Sequence, residues 1–369
     1  MSTGSRQHGR ASTNASCDAG KVEMRGQPTE YLLLDPEIMK RLPNILVCDV
    51  GPDFPIEVAS QVGGRAYALL TAATSHVSQR TLRIADAISR HWLRRNGSPY
   101  LSEIEVLAKG ARRPGIYYLN TSYEWGCTTA ARASADGKSA LLQRTLDWEV
   151  SGIGRYVVAA RIANPLGTWI SFTWPAFTGV IQAVAPGRFA AAINQPTLPR
   201  RLGVEALDRL ITRATIWNSK NLQPAHLLRR VFETAPDFEA ALDMLQSTPI
   251  TTPVIFTLAG LRPEQTATIE RLPEAHITLK DAFAVNEWRA TLPAVRHHKA
   301  FENESRLAAI RTASAACEPD FEWVRWPILN ADTRLALMAN AATGEILARG
   351  YEHGAPATRT LTLHEHNPS

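Results

Sequence analysis

The sequence predicts an α+β fold in which helices and antiparallel strands pack in layers, and three observations favour it. Helical periodicity occupies part of the first third of the chain, a run of short strand patterns with turn signals follows, and helices and then strands return after it. That order is typical of the α+β class. With 369 residues, 45% of them hydrophobic, the chain can bury a sizeable core, as one large domain or two smaller ones.

The first helical pattern covers residues 76–95, where apolar residues recur on one face and Asn96-Gly97 supplies a stop signal. A second, shorter helix is predicted over 103–111. After this, strand patterns are separated by Asp-Gly, Pro-Leu-Gly and Pro-Gly turns. The predicted strands are 128–133, 139–150, 156–162, 168–174, 179–184 and 189–194, followed by helices at 204–217, 225–233 and 237–245 and by strands at 254–258 and 266–270. The polar segments 1–28 and 357–369 are predicted to be flexible tails.

Charge and cysteine content argue against nucleic-acid binding and against a structural metal site. Forty basic residues stand against 35 acidic ones, and the arginines are spread along the chain, which indicates a solvated surface, with nucleic-acid binding as the lesser alternative. The four cysteines, Cys17, Cys48, Cys127 and Cys317, show no Cys-x-x-Cys spacing, and His297-His298 has no ligand spacing either. We therefore expect a reducing compartment and no metal site.

The sequence gives no sign of export or of membrane insertion. Residues 1–28 contain no apolar run of the length that a secretory signal needs, and no stretch approaches the roughly 18 apolar residues of a membrane span. The expected location is the cytoplasm.

Chemistry-bearing residues gather around Cys127. If the Asp-Gly pair at 136–137 turns a two-residue hairpin, Thr129 lies opposite Arg144, and Cys127 begins the first strand as Arg144 and Asp147 end the second. Side chains alternate along a strand, so Arg144 is expected on the Cys127 face of the hairpin and Asp147 on the opposite face.

Cleavage of the Gly126–Cys127 bond would give Cys127, Arg144 and Asp147 a shared chemical role. Cys127 would then carry an α-amine with a reference pKa of about 7.7–8.0, able to act as the base for its own thiol. Asp147 could orient that amine, and the positive charge of Arg144 would favour the thiolate. Glycine at 126 would let the peptide bend toward the thiol. The alternative is a structural one, in which Cys127 is a small buried side chain and Arg144 and Asp147 form a surface pair.

The segment resembles the nucleophile region of the acid ceramidase and N-acylethanolamine acid amidase family, which belongs with the choloylglycine hydrolases among the N-terminal-nucleophile hydrolases. Further pieces similar to that family occur in its order over residues 100–310. The pieces that carry the resemblance are Cys127-Thr128-Thr129, Arg144-Thr145-Leu146-Asp147-Trp148, Asn120-Thr121-Ser122-Tyr123-Glu124, Phe189 to Asn194-Gln195, Val285-Asn286-Glu287-Trp288 and Asn303-Glu304-Ser305-Arg306. Two positions depart from the family pattern: Gln195 replaces a glutamate and Thr145 replaces an asparagine.

The resemblance implies a four-layer αββα sandwich, made as a proenzyme and cut between Gly126 and Cys127. Residues 29–126 would form a helical pro-region and 127–356 the hydrolase core, and fragments 1–126 and 127–369 would remain associated. It implies Cys127 as nucleophile and, through its amine, as base. The other implied site residues are Arg144 tuning the thiolate, Asp147 holding the amine, Asn286 and the backbone around Asn194 as oxyanion donors, and Arg306 as a support.

The expected activity is hydrolysis of a linear amide through a thioester, on a small N-acyl or lipid-like substrate, without a metal or organic cofactor. Two alternatives stay open. An acyltransferase would use the same acyl-enzyme and pass it to an amine. A non-catalytic binding protein of the same fold would remain uncut.

Overall fold

The computed structural model describes most of the chain from residue 36 onward. The described residues are 36–75, 77–122, 125–197, 199–200, 202, 204–290, 296–297, 302–318 and 320–365. The predicted N-terminal tail, residues 1–28, lies outside them.

Helices and strands alternate along the described chain much as the sequence predicts. The helices are α1 (Pro36–Arg41), α2 (Phe54–Gln61), α3 (Arg65–Ala73), α4 (Gln79–Asn96), α5 (Leu101–Gly110), α6 (Ile116–Leu119), α7 (Glu205–Asn218), α8 (Pro224–Thr234), α9 (Phe238–Ser247) and α10 (Asn303–Thr312). The strands are β1 (Leu46–Val50), β2 (Gly126–Ala133), β3 (Ala140–Asp147), β4 (Val158–Ile162), β5 (Trp169–Thr173), β6 (Gln182–Ala185), β7 (Phe189–Asn194), β8 (Pro199–Arg200), β9 (Val254–Ala259), β10 (Thr266–Arg271), β11 (His276–Leu279), β12 (Phe283–Ala284), β13 (Arg296–His297), β14 (Thr333–Asn340), β15 (Glu345–Glu352), β16 (Ala355–Pro356) and β17 (Leu361–His364).

The described strands form two large sheets and one small one. The first sheet has the order β1-β4-β5-β6-β7-β9-β10-β11, and the second has the order β12-β2-β3-β14-β15-β16 with β17 also on β15. Among the paired strands of these sheets, β1 and β4 run parallel and the other pairs antiparallel. The α+β prediction is confirmed.

Strand β7 shows how the sheets and helices pack. Phe189, at its start, lies 4.9 Å from the ring of Phe232 in α8. Asn194 is five residues further on and therefore points to the opposite face, where it meets Thr129 of β2 in the second sheet. The first sheet thus has α8 on one face and the second sheet on the other. Side chains of α10 and of the segment around Phe321 pack against the far face of the second sheet.

Two predicted boundaries need correction. The region 29–126, predicted to be helical, also supplies β1, which pairs with β4. The C-terminal tail predicted over 357–369 contains β17, whose four residues pair with β15. Local patterns could not show either pairing, because a parallel partner and a distant antiparallel partner are both set by tertiary contacts.

A loop that leads into the first sheet is pressed against β15. The amides of Gly152 and Gly154 donate to the carboxylate of Glu352 at 3.0 and 2.6 Å. A Cβ on Gly154 would lie 1.9 Å from the backbone oxygen of Tyr351, so only glycine fits this approach. The position of this loop therefore depends on a glycine, which has no side chain, at residue 154.

We expect Gly154→Ala to lower the free energy of unfolding by about 1–3 kcal/mol, since the strand or the loop must move. Urea unfolding followed by circular dichroism measures this. Gly64→Ala is the matched control, because Gly64 has φ −65° and open space around the added methyl group. Equal stability of the two variants would contradict the proposed tight packing.

Candidate active site

The hairpin of β2 and β3 has the predicted register. Cys127 pairs with Leu146 and Thr129 with Arg144. The connection is wider than a two-residue turn, since strand pairing ends before the segment 134–139. The register is nevertheless retained, because the strands are buried and a slip by one residue would turn every side chain to the other face.

The thiol of Cys127 is buried between the two sheets. Arg144 donates from Nη2 to Cys127 Sγ at 3.1 Å, and from Nη1 to the backbone oxygen of Ile193 and to Asn194 Oδ1. Both Cys127 and Arg144 are fully buried. Burial raises the pKa of the Cys127 thiol, and the nearby Arg144 guanidinium lowers it by less. Arg144 therefore acts in the predicted direction, but in this closed site burial outweighs it.

Asn286 contacts the backbone on both sides of the Gly126–Cys127 bond. Its Oδ1 accepts the amide hydrogen of Cys127 at 2.8 Å, and its Nδ2 donates to the carbonyl oxygens of Trp125 at 2.9 Å and Gln195 at 2.6 Å. The sequence predicts Asn286 as a donor, and in the uncut chain both of its amide hydrogens are occupied. Position 195 contributes its backbone oxygen to this contact, which a glutamate there would supply equally.

Asn194 reaches the site with its side chain. Its Nδ2 lies 3.3 Å from the backbone oxygen of Cys127 and 3.2 Å from that of Ala284. The backbone of Asn194 pairs with Ile255 in the first sheet. The side-chain amide of Asn194 is thus aimed at the backbone of Cys127, and the donor expected from the backbone around Asn194 stays a prediction.

Asp147 lies on the other face of the hairpin, as the strand alternation predicts. Arg306 Nη1 donates to Asp147 Oδ2 at 3.1 Å and approaches the carbonyl oxygen of Cys127 at 3.3 Å. Arg306 Nη2 donates to Asn286 Oδ1 at 2.9 Å. The expected direct contact of Asp147 with the nitrogen of Cys127 is not found, since that nitrogen donates to Asn286. Arg306 connects Asp147 to Asn286 by donating to both.

Two further partners of Asp147 were not predicted from the sequence. Asn330 Nδ2 donates to its Oδ2 at 3.0 Å, and Thr333 Oγ1 to its Oδ1 at 2.8 Å. Burial raises the pKa of the Asp147 carboxyl, while the Arg306 guanidinium and these two donors lower it by less. A Cβ on Gly126 would lie 3.0 Å from the Cβ of Asp147, so the cross-strand pair explains the glycine.

A cavity of about 680 Å³ adjoins the site. Its walls come mainly from α3, α4 and α7 and are largely apolar, with Trp92, Trp148 and Trp174 among them. Gln195, whose backbone oxygen accepts from Asn286, also lines it. Trp125 packs edge-on against Trp148 with 5.9 Å between ring centroids. The segment that precedes Cys127 therefore contacts a wall of this cavity.

In the described part of the chain, no three His, Cys, Asp or Glu side chains gather so as to hold a metal ion. The helices described there include none that is long and apolar enough to cross a membrane.

No protein-family model matches the sequence, and no curated protein matches it closely enough to count as a relative. Solved structures do match. An N-acylethanolamine-hydrolyzing acid amidase ortholog from Caenorhabditis elegans matches with 15% identity and a TM-score of 0.46, over 58% of this chain and 93% of that chain. A mutant conjugated bile acid hydrolase from Clostridium perfringens matches with 10% identity and a TM-score of 0.36, over 64% of this chain and 92% of that chain. A penicillin V acylase from Agrobacterium tumefaciens matches with 11% identity and a TM-score of 0.40, over 64% of this chain and 86% of that chain. Because each TM-score lies below 0.5, the site geometry and the sequence motifs carry the functional proposal.

Proposed function

We propose that this chain is a cysteine N-terminal-nucleophile amidohydrolase, made as a proenzyme that cuts itself between Gly126 and Cys127 and then hydrolyses a linear acyl amide. One observation carries the proposal. The thiol and the backbone nitrogen of Cys127 are each held by a separate buried side chain, Arg144 at 3.1 Å and Asn286 at 2.8 Å. Any buried backbone N–H needs an acceptor, but a cysteine with a purely structural role does not need a guanidinium on its sulfur.

Self-cleavage follows from groups that are already adjacent along the chain. The Cys127 sulfur adds to the carbonyl carbon of Gly126, the carbon–nitrogen bond breaks, and the thiol proton ends on the departing nitrogen, which becomes an α-amine. Water then hydrolyses the thioester, which leaves Gly126 with a carboxylate and restores the thiol. Asn286 Oδ1 accepts from that nitrogen before the cut and remains placed to accept from the amine after it.

The same residues then serve the amidase reaction. The α-amine of Cys127 takes the thiol proton, the thiolate attacks the substrate carbonyl, and the proton passes to the leaving amine. Water attacks the resulting thioester. Departure of Trp125 would free an amide hydrogen of Asn286 for the oxyanion, with the backbone around Asn194 as the second donor. A donor of this kind is worth about 2.7–4 kcal/mol in the transition state. Asp147 would hold Arg306, which in turn holds Asn286.

The apolar cavity beside Gln195 and Trp148 suits the acyl part of the substrate. This supports an N-acyl or lipid-like amide. The arrangement of helices on both outer faces of two packed sheets supports the four-layer αββα order.

The fragments formed by cleavage would stay together. Strand β1 of the first fragment pairs along its whole length with β4 of the second. Arg229 of the second fragment donates to both oxygens of Glu103 in the first, at 2.6 and 2.9 Å, and its guanidinium lies 4.1 Å from the ring centroid of Tyr100. Such buried, bidentate contacts do not depend on the cut peptide bond.

The test is the integrity of the chain. We expect the full chain, expressed without added protease, to yield a fragment that begins at Cys127, and the Cys127→Ala variant to stay whole. Intact masses and N-terminal sequencing measure both. Cys317→Ala, which removes a half-buried cysteine elsewhere, is the control and should cleave like the wild type. If wild type and Cys127→Ala both remain single chains after prolonged incubation at acidic and neutral pH, the non-catalytic alternative is favoured.

A further inference from the structure

Thr129 lies two residues after the candidate nucleophile and faces the same buried space between the sheets. Its hydroxyl donates to Asn194 Oδ1 at 2.6 Å, and the residue is fully buried. The roles proposed above do not use it. Asn194 Oδ1 also receives Arg144 Nη1 at 3.4 Å, so the Thr129 contact is the shorter of the two.

These two contacts fix which way the Asn194 amide points. A guanidinium carries donors and no acceptor, so the atom of Asn194 that faces Arg144 must be the oxygen. With the oxygen held there by Thr129, the NH₂ group is directed to the opposite side, where it reaches the backbone oxygen of Cys127. The Thr129 hydroxyl is therefore the shortest of the contacts that orient the Asn194 amide, together with Arg144 on its oxygen and the backbone oxygens of Ala284 and Val285 on its NH₂ group.

The same hydroxyl affects Arg144. The guanidinium is shared among the backbone oxygen of Ile193, Cys127 Sγ at 3.1 Å and Asn194 Oδ1 at 3.4 Å. Without the hydroxyl, the Asn194 oxygen loses its shorter donor and keeps only the 3.4 Å contact with Arg144. The oxygen is then held less firmly, and Arg144, which it helps to orient, shifts relative to the thiol.

We infer that Thr129 is a positioning residue of the proposed amidase, whose hydroxyl holds the Asn194 amide toward Cys127 and, through it, Arg144 on the thiol. This inference rests on the proposed function. It also makes a claim about the thiol alone, which can be measured in the absence of any amidase activity.

The first test compares three variants. Thr129→Val removes the hydroxyl and keeps the shape, and Thr129→Ser restores the hydroxyl. Thr257→Val is the matched control: Thr257 is fully buried, pairs with Ala192 on the Asn194 face of the first sheet, and among the described residues its hydroxyl has no hydrogen-bond partner.

For an acyl amide substrate, we expect Thr129→Val to lower kcat about 10–100-fold with KM within about twofold, as for outer partners that orient the ligands of metal sites. Thr129→Ser and Thr257→Val should stay within about threefold of the wild type. Urea unfolding confirms that each variant is folded. The inference fails if Thr129→Val behaves like Thr257→Val, or if Thr129→Ser loses as much activity as Thr129→Val.

A second test does not need activity. The rate of Cys127 alkylation by iodoacetamide is measured against pH in each variant, with mass mapping to separate Cys127 from the other cysteines. We expect a higher pH midpoint in Thr129→Val than in Thr257→Val, because Arg144 no longer favours the thiolate. If the wild type has no amidase activity, the proposed function fails and this comparison decides the inference alone. With or without amidase activity, equal pH midpoints of Cys127 alkylation in Thr129→Val and Thr257→Val overturn the inference.

Discussion

Replacing Arg144 with methionine is expected to leave the protein folded, with an equal or higher melting temperature, while amidase activity and self-cleavage fall about 10²–10³-fold. The stability side follows from burial. Arg144 is 1% exposed, and within the described residues no carboxylate lies in ion-pair distance of it. Burial lowers the pKa of its guanidinium, which shows that the surroundings disfavour the charge. Removing a buried charge that has no ion-pair partner removes the cost of its desolvation, so we expect no net loss of stability.

The activity side follows from the contact with the thiol. Arg144 is the largest influence that opposes the raised pKa of Cys127, so without it the thiol ionises still less readily. Loss of one hydrogen-bond donor that stabilises negative charge in an acyl-transfer site costs about 10²–10³-fold. If Arg144 lowers stability and raises activity, function explains its presence and a structural need does not.

Thermal unfolding and cleavage assays on Arg144→Met measure both sides. The control is Arg188→Met. Arg188 is also a buried arginine, but it donates to the backbone oxygens of Phe232 and Ala235 at the end of α8. This control should keep its activity, whatever its stability. If Arg144→Met unfolds more easily by more than about 2 kcal/mol, or reacts like the wild type, the role proposed for Arg144 is wrong.

Local patterns predicted the elements on which the site is built. The hairpin register followed from one Asp-Gly pair and the alternation of side chains. Helix α4 ends where Asn96-Gly97 predicted, with Gly97 in the left-handed region at φ 70°. The predicted strand 189–194 matches β7. In each case, the signal lies within a few residues of the element that it determines.

Contacts between distant segments could not be predicted in this way. Asn330 and Thr333 reach Asp147 across more than 180 residues of sequence. The sheet is covered on both faces at β14 and β15, so nearly all positions of these strands are buried. The alternation of apolar and polar residues that would mark them in the sequence is therefore missing.

The direction of the Cys127 pKa is a further case. Sequence predicted the attraction of Arg144, but the net shift depends on burial, which only the tertiary structure sets. The orientation of Asn286, with its oxygen on the nitrogen of Cys127, likewise depends on the place of Arg306 in α10.

Removing Arg306, the cationic partner of Asp147, should lower stability much more than the Arg144→Met replacement. We expect Arg306→Leu to lower the free energy of unfolding by about 3–5 kcal/mol at pH 7, because it leaves a buried carboxylate without its cation. The pair is 3.1 Å apart, and both side chains are 7% exposed. The surface pair of Arg325 and Glu322 is the control, since both are 59% exposed. Arg325→Leu should cost less than about 0.5 kcal/mol.

The loss should depend on pH in a direction that follows from Asp147. Burial already raises the pKa of this carboxyl in the folded protein above its usual value of about 3.9, and loss of the Arg306 guanidinium raises it further. A raised carboxyl pKa means that the folded state binds its proton at a higher pH than the unfolded state does. Stability is therefore lost as pH rises through the interval between the two pKa values, and the penalty is absent below the unfolded value.

The deficit of Arg306→Leu relative to the wild type should consequently shrink as pH falls from 7 toward 4, in urea unfolding at several pH values. The double variant Asp147→Asn with Arg306→Leu removes the charge and should recover much of the loss at pH 7, with a flatter pH dependence. A deficit that is constant over this pH range, or a double variant as unstable as the sum of its parts, would mean that packing of the Arg306 side chain is responsible. The charge on Asp147 would then have no part in holding the Asn286 side of the site.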